Sequence, residues 1–171
     1  MALALAALGS AQTPAAKADS LGRDNPQSSV TGFLEACQNR DYGKASEYLD
    51  LRSMTPQNRA QLGPVLAKDL EGILNSDPDF SVLRLSHSSE GDLADDADVN
   101  RERIASIEQK GVPVTLEMER TPLSPGGPPV WLFSRDTVQA IPKLAGFVTP
   151  PAIARYLPPF FSSVQIVETP L

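Results

Sequence analysis

A chain of 171 residues suits one domain with a modest hydrophobic core. Fifteen Lys and Arg against 21 Asp and Glu give a formal charge of −6, which disfavours nucleic acid or anionic lipid as a partner, because both demand a basic surface. Cys37 is the only cysteine, which excludes an intramolecular disulfide, and 16 prolines announce short elements with frequent stops.

Residues 2–8, ALALAAL, form an apolar run followed by Gly9, Ser10 and Ala11, small residues that fit signal-peptidase cleavage after Ala11. No Lys or Arg precedes the run, so a basic n-region would have to lie upstream of Met1. Residues 1–20 are expected to be a signal-peptide remnant or a disordered leader. The run is far below the roughly 20 apolar residues of a membrane-crossing helix, and no other segment reaches that length.

Asn25-Pro26 reads as a helix start, with a capping side-chain oxygen and a proline suited to the first helical position. Val30, Phe33, Leu34 and Cys37 then recur at helical spacing and predict an amphipathic helix ending near Arg40. Asp41 can cap a second short helix carrying Tyr42, Ala45, Tyr48 and Leu49, which the short link folds back as a helical hairpin. Thr55-Pro56 repeats the start signal for a third helix with the stripe Leu62, Val65, Leu66, Leu70 and Ile73, which Gly63-Pro64 should kink or split.

Between 75 and 101 the pattern predicts loop around a weak strand at 80–85. The period then drops to two. Val112, Val114, Leu116 and Met118 alternate with Pro113, Thr115, Glu117 and Glu119 in a half-buried strand. The turn-rich segment 124–128 leads back into Val130–Phe133, and 103–108 supplies a third strand. Ser134 or Asp136 caps a helix with Val138 and Ile141 that Pro142 ends or bends; Thr149-Pro150 opens a last short helix through Ile153 and Tyr156. The expected fold is α+β: a helical hairpin plus a third helix, a small antiparallel sheet of about three strands, then two short helices. One domain is expected over 21–158, with a tail over 159–171.

No catalytic constellation emerges from these residues. The acidic run Asp92, Asp95, Asp96 and Asp98 gathers oxygen ligands, but Arg101 stands where a calcium loop needs glycine and Ile107 where it needs glutamate. His87 is the sole histidine, and its neighbouring serines lie too close in sequence for triad geometry. Cys37 sits on an apolar stripe and reads as a small buried hydrophobe. Glu117 and Glu119 share a polar strand face, where solvated charge is ordinary; Arg135 with Asp136 suggests capping and local ion pairing. Tyr42, Tyr48 and Trp131 read as core or boundary aromatics. No catalytic, cofactor-binding or metal-binding residue is assigned, and no cofactor is expected.

Four stretches together carry a family likeness: LGRDNPQSSVTGFLEACQNRDYGKASEYLDL at 21–51, NRERIASI at 100–107, VTLEMERTPL at 114–123 and PVWLFSRDTVQAIPKL at 129–144. In this order they resemble the extracytoplasmic region that precedes the membrane part of certain large bacterial MscS-family mechanosensitive ion channels, over about residues 21–160. The resemblance implies a non-catalytic, periplasm-facing accessory domain. Its implied partner is a channel membrane domain absent from this chain, through which it would be a homo-oligomer. It implies no site residues. FLEACQNRDYGKASEYLDL also resembles the first helices of NTF2-like α+β domains, which implies a second reading: a stand-alone exported small-ligand-binding or adaptor domain with a pocket between helices and sheet.

Overall fold

The computed structural model describes residues 19–92, 100–109 and 111–148. Most of the leader, the acidic run beyond Asp92, the helix expected after Thr149 and the tail lie outside them.

Helix α1, Pro26–Gln38, begins as its sequence dictates: Asn25 is extended and accepts the Ser28 N–H at 2.8 Å, and Pro26 occupies the first turn. Its buried stripe is Val30, Phe33, Ala36 and Cys37. Arg40, at φ 58°, reverses the chain, and the Asp41 carboxylate caps helix α2, Tyr42–Ala45, through the Lys44 N–H at 3.0 Å. The second helix is shorter than expected. After Ala45 the backbone tightens into a 3-10 turn, Ser46–Tyr48, and Leu49 then runs extended beside Phe133.

Helix α3, Pro56–Ser76, is capped by Thr55, which accepts the Asn58 N–H at 3.3 Å. Of the kink or split expected at Gly63-Pro64, the split does not occur; the helix continues through Pro64. Its buried face is Gly63, Leu66, Ala67, Leu70, Ile73 and Leu74, so Val65 is exposed rather than part of the stripe. A close approach explains that rotation. A Cβ on Gly63 would lie 3.0 Å from the Ser46 Cβ and 3.1 Å from a Leu51 methyl, so the helix must present its glycine to the chain beneath.

The weak strand expected at 80–85 is instead a 3-10 turn, Val82–Arg84. Leu85 buries and Val82 packs against the core, three residues apart, while Leu83 between them is 86% exposed; that is the spacing of a tight helical turn and not of a strand. Strands β1, Arg101–Gln109, β2, Val112–Pro122, and β3, Pro129–Phe133, form an antiparallel sheet in the order β1-β2-β3. Met118 stands opposite Glu102 on one side and Phe133 on the other, and a bulge interrupts β1 between Arg103 and Ala105.

Helix α4, Arg135–Val148, is capped by Ser134, whose hydroxyl accepts the Thr137 N–H at 3.1 Å. It passes through Pro142 instead of ending there. The resulting α+β architecture packs helices on one face of the sheet. Phe33 sits edge-on to Phe133 at 5.0 Å and to Tyr48 at 6.5 Å, among Leu66, Leu70, Ile73, Leu116, Met118 and Ile141. Side chains of this size contribute about 1.5–3 kcal/mol each when fully buried. Among the described residues no helix is long and apolar enough to cross a membrane.

Candidate functional site

The densest convergence of polar bonds on an apolar residue surrounds Trp131, on the short edge strand β3. Its backbone N–H donates to the Arg23 carbonyl at 2.9 Å, its carbonyl accepts the Ser29 hydroxyl at 2.7 Å, and its indole N–H donates to the Ser89 carbonyl at 3.0 Å. One fully buried residue thus ties the segment before α1, α1 itself and the loop at 86–92 to the sheet. Gly91 lies against the indole. It holds φ +80°, and a Cβ there would come within 2.8 Å of the ring, so both backbone and space call for glycine. Glu102, also buried, receives the N–H groups of Ser86 at 2.6 Å and Asp92 at 2.9 Å and closes the same loop.

A second junction gathers at Asp50, a buried carboxylate that the sequence reading did not single out. Arg52 grips it through two bonds of 2.8 Å and also donates to the Pro122 carbonyl at 3.0 Å, while Arg135 stands 4.0 Å away. Burial works to raise the Asp50 pKa, but the hydrogen bonds and charge of Arg52 prevail and hold it below the usual carboxylate value. The Asp50 N–H donates to the Phe133 carbonyl at 2.9 Å, so this ion pair sits beside the outer edge of β3. A comparable clamp joins Asp19 and Arg23, two parallel bonds of 2.9 Å, with Arg23 reaching on to the Glu47 carbonyl at 2.7 Å.

The candidate chemistry of the sequence is scattered by the fold. His87 is exposed on the loop, and the neighbouring hydroxyls serve turns: Ser86 accepts the Ser88 N–H and Ser88 accepts the Glu90 N–H. Cys37 is buried; desolvation first, and the Glu71 charge second, push its thiol up to about 12, far from a reactive thiolate. Glu117 pairs with Arg101 at 3.0 Å, and Arg101 also reaches Asp136 at 3.0 Å, so the ion pairs of Arg135 and Asp136 run to distant segments and not to each other. Tyr42 donates to Glu71 at 3.0 Å on a half-buried boundary, whereas Tyr48 is core and donates to the Leu21 carbonyl. Of the acidic run, only Asp92 falls within the described residues, and among these no three His, Cys, Asp or Glu side chains gather as a metal site.

Open grooves lie among the described residues. One, of about 410 Å³, runs along β1 at 103–106, with Asp77, Asp79 and Arg84 on its far wall. Another, of about 270 Å³, lies between β2 and α4 beside Val114, Gln139 and Lys143. Comparison with models of known protein families, with curated proteins and with solved structures finds no match.

Proposed function

We propose that the chain is a non-catalytic, periplasm-facing accessory domain of an MscS-type mechanosensitive channel, acting through contacts with the channel's membrane domain and the envelope. The observation that supports this reading is spatial. The four stretches that resemble the channel region, 21–51, 100–107, 114–123 and 129–144, supply α1, α2, all three strands and α4; 21–51, 114–123 and 129–144 meet along β3 at Trp131 and Phe133, and 100–107 joins them by pairing with 114–123. A likeness spread over the chain thereby coincides with one packed unit held by clamps. Its buried carboxylates Asp50 and Glu102 are engaged, the first by Arg52 with Arg135 nearby and the second by the N–H groups of Ser86 and Asp92. The second reading, a stand-alone binder, needs an enclosed pocket between helices and sheet; Phe33, Tyr48, Leu70 and Phe133 fill the centre of that layer, and the groove between β2 and α4 is open to solvent.

The test begins at the source locus. Long apolar segments in frame after residue 171 are expected, and deletion of residues 21–158 from the complete protein is expected to shift its tension threshold in membrane patches. A stop codon directly after residue 171, with no membrane partner recovered by cross-linking in the periplasm, would defeat the channel reading.

A further inference from the structure

The two outer edges of the sheet are treated differently by the chain. Along β3 the edge is covered: Arg23 and Ser29 bond the backbone of Trp131, and Asp50 bonds that of Phe133. Along β1, from Arg103 to Gln109, the outer edge has no backbone partner among the described residues. An uncovered edge is a template for another strand. Native edges are commonly protected by a bulge and by charge, and β1 has both, so the identity and spacing of its charges decide what the edge admits.

The register settles which side chains share a face. Arg103, Ser106 and Glu108 stand opposite Glu117, Thr115 and Pro113, three successive same-face positions of β2, and all three are exposed. The bulge places Arg103 and Glu108 symmetrically about Ser106, one rung on either side. Among the described residues neither charge has an ion-pair partner. Glu117, across from Arg103, is held by Arg101 at 3.0 Å, and Glu108 faces a proline. A strand carrying like charges would repel its own copy in an antiparallel pairing. This strand does not.

We infer that β1 is a self-complementary edge through which two copies of the chain join as an antiparallel pair, with a two-fold axis at Ser106. In that register Arg103 of each copy faces Glu108 of the other, Ala105 faces Ile107, and Ser106 faces Ser106. Two reciprocal ion pairs flank the axis, each of the cross-strand kind that stabilises opposite charges and penalises like ones. The groove of about 410 Å³ beside residues 103–106 provides room for the arriving strand. Joining the two sheets gives one of six strands and covers both exposed edges. The pairing needs no membrane domain, so it stands or falls independently of the channel reading.

The test uses the 171-residue chain in sedimentation velocity at concentrations up to about 1 mM, a range that populates even weak dimers. A concentration-dependent dimer is expected. Arg103→Glu or Glu108→Arg alone should weaken it by about tenfold, because each places like charges opposite one another twice, and the double exchange should restore it. Both positions are exposed, so the variants are expected to fold as the parent does. The axis supplies a second readout. Ser106→Cys should form a disulfide-linked dimer on mild oxidation, whereas Thr115→Cys, exposed on the neighbouring strand, should not; the native Cys37 is buried and silent. A chain that stays monomeric, a dimer indifferent to the charge exchange, or equal cross-linking from positions 106 and 115 would each overturn the inference. So would capture of an extended peptide at β1 without self-association, which would assign the edge to a different occupant.

Discussion

The Trp131 indole carries packing and tethering in one side chain. It is fully buried, and its N–H anchors a loop that contributes little apolar surface of its own. Trp131→Ala should cost about 3–5 kcal/mol from the cavity and lost transfer energy, and Trp131→Phe about 1–3 kcal/mol with the Ser89 carbonyl left unpaired. Urea denaturation measures both, and an alanine variant within about 1 kcal/mol of the parent would show the residue is not a core anchor. Trp131 was legible as a buried aromatic because it stands in an apolar run that ends at a helix cap. Asp50 was not. Nothing in the local pattern of Leu49, Asp50 and Leu51 announces that a carboxylate will be enclosed; its partner Arg52 lies two residues on, but the bonds of Asp50 to Phe133 and of Arg52 to Pro122 reach segments seventy or more residues away.

At the scale of elements, the two helix-start signals and the α1 stripe read true, whereas the Gly63-Pro64 signal did not split α3 and the α3 stripe was only partly right. Asn25-Pro26 and Thr55-Pro56 start helices in the structure because a cap depends on one side chain and one turn of backbone. The stripe of α3 was displaced toward Gly63, Ala67 and Leu74 because small residues mark where a helix is approached closely, which a hydrophobicity pattern undervalues. Helix α4 shows a third case, a junction made by a hydroxyl. Thr137 Oγ1 accepts the Glu117 N–H at 2.7 Å and donates to the Glu117 carbonyl at 2.9 Å, fastening the first turn of the helix to the middle of β2. The Glu117 carbonyl has a second donor in the Ser134 N–H at 2.9 Å, so its amide alone depends on the threonine. Thr137→Val keeps the shape and removes the acceptor, and should cost about 1–3 kcal/mol for the orphaned N–H. Amide exchange at Glu117 checks the assignment: it should accelerate more than exchange at Met118, and equal acceleration would indicate general loosening.

For the molecule as a whole, buried and half-buried aspartates bend the dependence of stability on pH in opposite directions. Asp19, chiefly through its hydrogen bonds to Arg23, and Asp50, through Arg52 against the effect of burial, are held below the ordinary carboxylate value. Their contribution is complete above the unfolded pKa near 3.8 and is lost as pH falls through the lowered folded values, so they drive acid unfolding. Asp69 on α3 acts the other way. Its Oδ2 is buried without a hydrogen-bond partner, and burial pushes its pKa up to about 6. The folded state therefore holds the Asp69 proton more tightly than the unfolded chain does. Stability should decline as pH rises from the unfolded value of 3.8 to about 6, then stay lower by about 2 kcal/mol after allowance for partial solvation. Asn at this position imitates the protonated acid. Asp69→Asn should match the parent near pH 4 and exceed it by about 1–2 kcal/mol at pH 7.5, as read from urea midpoints at the two pH values. An equal effect at both would place the change in packing and not in charge. If the difference grows between pH 4 and about 6 and stays level above that, the half-buried Asp69 carboxylate is a built-in cost of the neutral-pH fold.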